Sequence, residues 1–423
     1  MAATANGSCA TCCKAASAYC PACVEEMDGR RTPTTYYCSR ACQVVDRSMH
    51  KVPCKHKKIM HRAAEVLQAT FYAFREAAFD LDINSVTKNG NVLEVHHREV
   101  DAAGAMTRSP LSRFPDKLLA NGDDKKAILA HAACTDATAY LHELRVKLLR
   151  GITPIIKTVD EGHICVDRRH ERIRRFLDLL DGTSKLDTGV SFHEVIILSC
   201  TYGSKFVFYP AGAQYGQYSP LLRLDDYLKD WAAPGKTLQL KPHGSMHLYL
   251  QEATAGGHQD VFTDTHDLRS LVIHDEVVQA MNYAVADWEK KNGKSVHKIL
   301  TQKQAAYEAD RNSLVQAMRK GMCAYIQWWE ARPDKFETKR IPREPVEAKK
   351  PKLTLERTPI SETEQAQAEV DRTLASLRLL ENAEDSERKI RARAGSEKER
   401  EYASQMEAFL KKEEVKGPTI LRM

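Results

Sequence analysis

The sequence of 423 residues predicts an α+β protein built in three parts. Three observations lead to this prediction. Residues 1–58 hold eight of the 12 cysteines, residues 59–333 mix strand-like and helix-like hydrophobic patterns, and residues 334–423 are rich in charged side chains. The length allows more than one domain and a buried core in the central part. We therefore predict a small cysteine-rich domain, a larger mixed α+β domain and a charged tail.

The composition narrows the class of protein. Hydrophobic residues make up 43% of the chain and charged residues 28%, as in ordinary globular proteins. The net charge of +6 is spread over 63 basic and 57 acidic residues, so it does not indicate a nucleic-acid partner. No run approaches the ~18 apolar residues of a membrane span, and MAATANGSCATCC lacks the regions of a secretory signal. We expect an intracellular, reducing compartment, where clustered cysteines bind metal rather than form disulfides.

The first 54 residues contain four closely spaced pairs of metal-ligand residues. The pairs are Cys9 with Cys12, Cys20 with Cys23, Cys38 with Cys42, and His50 with Cys54. A structural zinc ion needs four ligands, and one such pair supplies two of them. The four pairs therefore predict two complete zinc sites. The last two pairs have a spacing of i to i+4, which places both ligands on one face of a helical turn, and Ser39 is placed to cap the first of these turns.

These residues resemble a known family. The segment Tyr37–Ser39, Cys42–Gln43, Asp46 and His50–Cys54 is similar to the second half of a MYND-type zinc finger, and the likeness extends over residues 9–54. The general plan, with a long body after the finger, resembles fungal MYND-finger proteins. The resemblance implies a two-zinc cross-brace in which the pairs interleave. By that resemblance, one zinc ion is held by Cys9, Cys12, Cys38 and Cys42, and the other by Cys20, Cys23, His50 and Cys54.

The sequence departs from the family pattern in three places. The interval between Cys23 and Cys38 is longer than usual, which predicts an extruded loop over residues 24–36. Cys13 is a further candidate ligand and could take the place of Cys12. Arg47 stands where the family usually has tryptophan; in some members that tryptophan, with the glutamine matching Gln43, contacts proline-rich peptides.

The body alternates between helix-like and strand-like patterns. Apolar residues at helical spacing predict a helix that leads out of the finger, one from about 124 to 150, one over 264–291, and a last one that ends before Arg332–Pro333. Strands are predicted in VLEVHHREV and GSMHLYLQEA, and a β-hairpin in HEVIILSCTYGSKFVFYP. The helical stripes are interpreted as core.

The tail, residues 334–423, begins with a proline-bearing linker and continues in a segment rich in Glu, Ala, Arg and Lys. Its apolar spacing is patchy, so both a solvated helix and a disordered segment are compatible with it. The run Lys349–Lys352 resembles a basic nuclear-import signal. We expect the protein in the nucleus, the cytoplasm or both.

Enzymatic function is the alternative hypothesis, with an active site in residues 124–333. Cys165 and His193 could pair as a thiol nucleophile and its base. His258 and Asp260 have the spacing of two ligands of a metal-dependent oxygenase. A lysine methyltransferase is less favoured, because no Asn-His-Ser-Cys-type segment follows the finger. No phosphate-binding loop is present either, so we predict no catalytic residue and no organic cofactor.

A zinc ion with four protein ligands has no open position for catalysis. The MYND resemblance implies contact with other proteins, commonly in transcriptional or developmental regulation or as an adaptor for ubiquitin ligases. The sequence therefore predicts a zinc-binding protein–protein interaction module. It does not identify the partner.

Overall fold

The computed structural model of the chain describes residues 7–27, 30–33, 35–98, 109–119, 121–187, 192–254 and 268–331. These residues belong to one compact unit, Met1–Lys339. The predicted tail, 334–423, lies outside the described residues, and so do Arg332–Pro333 and the residues 258 and 260 of the proposed oxygenase pair.

The N-terminal segment is made of short antiparallel strand pairs. The pairs are β1 (Gly7–Ser8) with β2 (Ala15–Ala16), β3 (Ala18–Tyr19) with β6 (Tyr36–Tyr37), and β4 (Val24–Met27) with β5 (Arg30–Pro33). The long interval between Cys23 and Cys38, predicted as a loop, therefore contains a two-stranded hairpin. This hairpin accounts for the extra length.

Helix α1 (Arg40–Ala77) is 38 residues long and links the cysteine-rich segment to the body. As predicted, Ser39 caps it: the Ser39 hydroxyl accepts a hydrogen bond from the Cys42 backbone N–H at 3.2 Å. From Ile59 onward one face of the helix is buried. The helix passes through residue 58 without interruption, and the domain boundary predicted there stays a prediction.

Four strands form the first sheet of the body. In spatial order they are β11 (Ser184–Leu186), β10 (Ile173–Asp178), β8 (Val92–Arg98) and β7 (Ile83–Asn89). The predicted strand VLEVHHREV is β8, which runs antiparallel to β7 and parallel to β10. Leu93 and Val95 pack with Phe79, Phe114 and Ile128 in a buried cluster. Burial of this apolar surface holds the sheet against the neighbouring helices.

Three short helices follow where one long helix was predicted. They are α2 (Gly122–Ala130), α3 (Cys134–Ala139) and α4 (His142–Leu149). The prediction of a single helix over 124–150 is wrong, because His131 is extended and Ala132 has a φ of 54°. Both His131 and Ala133 are buried at this break. Tertiary packing therefore overrides the local preference for helix.

Five antiparallel strands form the second sheet. Their order is β14 (Leu221–Arg223), β13 (Lys205–Phe208), β12 (Phe192–Cys200), β9 (Ile156–Cys165) and β15 (Gln239–Pro242). The predicted hairpin is β12 and β13, with Gly203 at a φ of 87° in its turn. Val195, Ile197 and Val207 form a core cluster on one face of this sheet with Tyr227 and Trp231.

The remaining helices are α5 (Leu224–Trp231), α6 (Ser245–Thr254), α7 (Leu268–Asn292) and α8 (Gln304–Glu330). The strand predicted in GSMHLYLQEA is wrong, since this segment is α6. The Glu161 carboxylate accepts hydrogen bonds from the backbone N–H groups of Gly244 and Met246 at 2.8 and 2.7 Å, at the N-terminus of α6. A buried acid on a distant strand therefore satisfies donors of this helix, which a local pattern does not reveal.

Helices α7 and α8 agree with the predicted amphipathic stripes. Met281, Val285 and Trp288 of α7 are buried, as are Leu314 and Met318 of α8. The larger body is thus a mixed α+β structure after a small cysteine-rich segment, which confirms the predicted fold class. Among the described helices, none is long and apolar enough to cross a membrane.

Candidate metal centre

The structure brings the eight predicted ligands together as two groups of four. The groups are Cys9, Cys12, Cys38 and Cys42, and Cys20, Cys23, His50 and Cys54. Within each group all ligand atoms lie within 4.8 Å of one another. Each group takes one pair from the strand-and-turn segment and one from α1 or the residue just before its N-cap, Ser39. This is the interleaved pairing that the MYND resemblance implied.

In the first group, the sulfur atoms are close to the corners of a tetrahedron. The Sγ–Sγ distances are 3.4 Å between Cys12 and Cys38, 3.5 Å between Cys38 and Cys42, and 3.8 Å between Cys42 and Cys12. A zinc ion with Zn–S bonds of about 2.3 Å places its sulfur ligands about 3.8 Å apart. The spacing therefore fits one zinc ion.

The second group combines three thiols with an imidazole. The Cys54 Sγ lies 3.8 Å from that of Cys20 and 3.4 Å from that of Cys23. The His50 Nε2 lies 3.4 Å from the Cys23 Sγ, close to the ~3.5 Å expected for a nitrogen and a sulfur on one tetrahedral zinc ion. Each cluster can therefore hold one zinc ion, in agreement with the two ions predicted.

The electrostatics of the first group favour a bound cation. A hydrogen bond from the Cys38 backbone is the largest cause that lowers the pKa of Cys9, to about 6. Hydrogen bonds with the neighbouring thiols of Cys12 and Cys42 raise the pKa of Cys38 to about 12. Thiols this close cannot all ionise unless a positive charge lies between them. A zinc ion supplies that charge and holds the ligands as thiolates.

Cys13, the alternative to Cys12, does not belong to either group. It has a φ of 59° and is exposed. Its backbone carbonyl accepts a hydrogen bond from the Ser8 hydroxyl at 3.0 Å. The turn therefore directs the Cys12 sulfur toward Cys38.

A second layer of contacts supports the histidine ligand. The Tyr37 hydroxyl donates a hydrogen bond to the Asp46 carboxylate at 2.7 Å, and an Asp46 oxygen lies 3.9 Å from the His50 Nδ1. A carboxylate beside the second nitrogen of a zinc-bound histidine orients the ring. Tyr37 is buried, and this burial, with Asp46, raises the pKa of its hydroxyl. Tyr37 and Asp46 therefore act as a support for His50.

Replacement of the capping serine tests how the first turn of α1 supports the metal. We expect Ser39→Ala to lower the stability of the folded finger by about 1 kcal/mol, because the Cys42 N–H loses its acceptor. Zinc affinity of the first site should fall about fivefold in a competition titration with a coloured chelator. Ser48→Ala, at an exposed position of the same helix, is the matched control and should leave the affinity unchanged. Equal affinities for both variants would contradict the role of the cap.

The thiol pair of the enzymatic alternative is not brought together. In the register of β9 and β12, Cys165 lies opposite Phe192, and His193 lies opposite Ile164. Directly opposed residues share a face, and successive residues alternate between faces. Cys165 and His193 therefore lie on opposite faces of the sheet.

His193 has the surroundings of a core residue. It is fully buried, and its ring meets those of Tyr209 and Tyr215 edge-on at 4.8 and 5.0 Å. Its Nδ1 lies 3.3 Å from the Gln214 side-chain nitrogen. Burial lowers the pKa of His193 to about 3, so the imidazole is neutral. These contacts give no support to a thiol–imidazole pair.

Sequence reasoning missed the buried charges around α4. The rings of His243 and His247 lie beside that of His142, with centroids 4.7 and 4.9 Å from it. Arg145 of α4 donates to the His243 Nε2 at 2.9 Å and to the Glu161 carboxylate at 3.2 Å. Neither Arg145 nor Glu161 belongs to a sequence motif, so no local pattern predicts this pair.

Comparisons of the chain with models of known protein families, with curated proteins and with solved structures gave no match. The two cysteine and histidine clusters are compatible with a zinc finger. The assignment of the finger to the MYND type depends on the residues that carry the resemblance.

Proposed function

We propose that the chain is an intracellular zinc-binding interaction module in which a MYND-type finger presents one face of α1 to a protein partner. The role is regulatory or that of an adaptor, in transcriptional or developmental control or in substrate delivery to a ubiquitin ligase. The sites of action are the nucleus, the cytoplasm or both. The observation that supports the proposal most strongly is an apolar surface on the finger.

Four apolar side chains are exposed on the part of α1 that carries the zinc ligands. Their exposed fractions are 60% for Val44, 67% for Val45, 77% for Met49 and 52% for Val52. Val45 and Met49 are four residues apart and therefore lie on one side of the helix. Val44 and Val52 lie beside them. A contiguous apolar patch on a protein surface commonly marks a site of interaction. We call these four residues the finger patch.

The charges around the finger patch indicate the chemistry of the partner. Arg40, Arg47, Lys51 and Lys55 are exposed on the same stretch of helix. An apolar centre with a basic rim is complementary to a partner segment whose apolar side chains are flanked by acidic ones. Arg47 replaces the tryptophan of the family pattern, so the proposed contact uses Val45 and Met49 rather than an aromatic platform. Methionine adapts well to partner surfaces, since its side chain is unbranched and polarizable.

The zinc sites have a supporting role in this proposal. Cys42 and His50 lie on the same turns of α1 as the finger patch and tie those turns to the strand segment. Pro53, which lies inside the helix between His50 and Cys54, cannot donate a helical hydrogen bond. Zinc bound at those two ligands would fix this weakened turn. Loss of zinc would therefore remove the patch as an ordered surface.

We expect the double variant Val45→Glu with Met49→Glu to lose its protein partners. Two carboxylates in the centre of the finger patch would have to lose their hydration when the partner docks. They would also repel the acidic side chains of that partner. The measurement is affinity capture of the full chain from a eukaryotic extract, with quantitative mass spectrometry of the bound proteins. Proteins retained by the unaltered chain should fall at least tenfold with the double variant.

The matched control is Val272→Glu. Val272 is 44% exposed on α7, outside the finger, so the same change there tests surface charge alone. A zinc content of two ions per chain in both glutamate variants shows that the finger is intact. If the double variant retains the same proteins as Val272→Glu, the finger patch is not the binding surface. Cys38→Ala should lose the partners together with zinc.

A further inference from the structure

A cleft of about 860 Å³ lies in the body, and the residues that line it all follow the zinc ligands in the sequence. One wall is a stripe of α1 that includes Gln68 and Tyr72, and the facing wall is a stripe of α8 from Arg311 to Arg319. Lys126 of α2 and Tyr218, in the segment before β14, close the third side. The volume is within the range of small-molecule sites, about 300–1,000 Å³.

Charge is distributed unevenly along this cleft. At one end Glu65 lies beside Arg311, 3.7 Å from its guanidinium, and accepts a hydrogen bond from the Tyr307 hydroxyl at 2.7 Å. Arg319 is eight residues further along α8, which is about 12 Å. At this second end the cleft is lined by the cations Lys126 and Arg319; their carboxylate partners, Asp123 and Glu76, are not among the described lining residues. The second end is therefore the one suited to an anion.

Tyr72, which lines the cleft, carries an unsatisfied hydroxyl. The Tyr72 oxygen is buried and has no hydrogen-bond partner among the described residues. Burial is the largest cause that raises the pKa of Tyr72, so the hydroxyl keeps its proton and can donate. A buried polar group without a partner costs roughly 1–3 kcal/mol. A ligand that accepts a hydrogen bond from Tyr72 would remove this cost.

The remaining lining groups suit a flat polar ring. The Tyr218 ring forms part of the wall, with the Lys126 Nζ 5.5 Å from its centroid. Gln316 of α8 lines the cleft between its two ends, and Asn312 lines it at the first end, where its Oδ1 accepts hydrogen bonds from Arg311. Amide groups pair with the donors and acceptors at the edge of a heterocycle, and an aromatic wall accepts its face.

We propose that this cleft binds a phosphate ester that carries a planar heterocycle, the chemical class of a mononucleotide. The phosphate lies at the Tyr72 end, between Lys126 and Arg319, and the ring lies along Tyr218 and Gln316. The site is independent of the zinc finger and of the finger patch. It adds a small-molecule site to the body.

The ion pairs already present leave the cations available. Lys126 is paired with Asp123 at 3.1 Å, and Arg319 with Glu76 at 2.5 Å. The side chains of Lys126 and Asp123 are 44% and 60% exposed, and those of Arg319 and Glu76 are 40% and 24% exposed. Pairs at such exposure contribute little, about 0–1 kcal/mol. Glu76 also accepts from Lys125 at 2.6 Å, so this carboxylate is shared between two cations. A phosphate can therefore join these groups without breaking a strong contact.

The test is isothermal titration of the zinc-loaded full chain with adenosine monophosphate, adenosine and inorganic phosphate. The monophosphate should bind more tightly than either fragment. Arg319→Gln should weaken it about tenfold, since a charge-assisted hydrogen bond is lost. Arg174→Gln is the matched control, because Arg174 is 36% exposed and also ion-paired but lies on β10. That variant should bind as the unaltered chain does.

Tyr72→Phe separates binding from stability. Removal of an unsatisfied hydroxyl should leave the thermal unfolding temperature of the free chain unchanged or higher, whereas binding of the monophosphate should weaken several-fold. Absence of heat with all three probes at millimolar concentration would overturn the proposal. Equal affinities of the Arg319→Gln and Arg174→Gln variants would overturn it as well.

Discussion

Removal of zinc with a chelator is expected to unfold residues 9–54 and to leave the body folded. Before Ile59, the buried residues among the described side chains are Cys9, Ala16, Cys23 and Tyr37, and two of these four are zinc ligands. Such a segment has almost no apolar core, so metal binding must supply its folding free energy. Comparable zinc peptides gain roughly 10–16 kcal/mol in apparent terms from the metal.

Hydrogen exchange locates the boundary between the segment that unfolds without zinc and the body that stays folded. With chelator, amides of α1 before about residue 58 should exchange rapidly, because their side chains are mostly exposed and gain little from helix alone. Amides from Ile59 to Ala77 should stay protected, since this half of α1 packs in the body. Protection that is unchanged along the whole helix would contradict the prediction.

Elemental analysis should give two zinc ions per chain. The adjacent cysteines provide a matched pair of variants: Cys12→Ser should reduce the ratio to about one, and Cys13→Ser should leave it at two. The reason is that the Cys12 sulfur lies 3.4 Å from that of Cys38, whereas Cys13 is outside both groups. A ratio near zero in the unaltered chain, or equal losses in both variants, would refute the two-site arrangement.

The zinc ligands could be predicted from the sequence because the chemistry is local. Four pairs of soft ligands at short spacing are rare, and a tetrahedral zinc site needs two such pairs. The helical stripes of α7 and α8 and the hairpin of β12 with β13 were predictable for a similar reason, since their periodicity follows from burial of one face. The cap at Ser39 was predictable from residue type and spacing alone.

Features that depend on distant residues were not predictable. The parallel pairing of β8 with β10 joins segments about eighty residues apart, and the break at Ala132 is set by packing around it. Helix α6 was predicted as a strand because the acid that caps it, Glu161, lies on β9. The finger patch and the cleft beside Tyr72 could not be inferred either, since exposure and concavity are properties of the folded surface.

The buried pair of Arg145 and Glu161 should have a large effect on the stability of the body. Both side chains have no exposed surface, and their charged groups are 3.2 Å apart. Arg145 also donates to the Thr138 backbone carbonyl at 2.8 Å, and Glu161 accepts from the N–H groups that begin α6. The pair therefore joins α3, α4, α6 and the second sheet. Removal of one partner leaves the other charge buried without compensation.

We expect Arg145→Met to lower the free energy of unfolding at neutral pH by about 3–5 kcal/mol, the usual cost of an unpaired buried charge. Urea unfolding of the zinc-loaded chain measures it. Lys291→Met is the control, since Lys291 and its partner Asp287 are 69% and 57% exposed, and exposed pairs contribute about 0–1 kcal/mol.

The pH dependence of the Arg145→Met variant identifies the cause. Burial is the largest cause that raises the pKa of Glu161 even beside Arg145, and loss of the cation raises it further. An acid whose folded pKa lies above its unfolded pKa destabilises the protein above the folded pKa and has no such effect below the unfolded one. The deficit of Arg145→Met should therefore shrink as the pH falls toward about 4, near the unfolded pKa of glutamate.

A second substitution separates buried charge from lost packing. The double variant Arg145→Met with Glu161→Gln carries no buried charge at this site, and its glutamine oxygen still accepts a hydrogen bond at the start of α6. It should be more stable at neutral pH than Arg145→Met alone, and its stability relative to the unaltered chain should not improve as the pH falls. If the double variant is instead the less stable of the two, Arg145 stabilises the body through its bonds to Thr138 and His243, and the charge of Glu161 is not the cause of the loss.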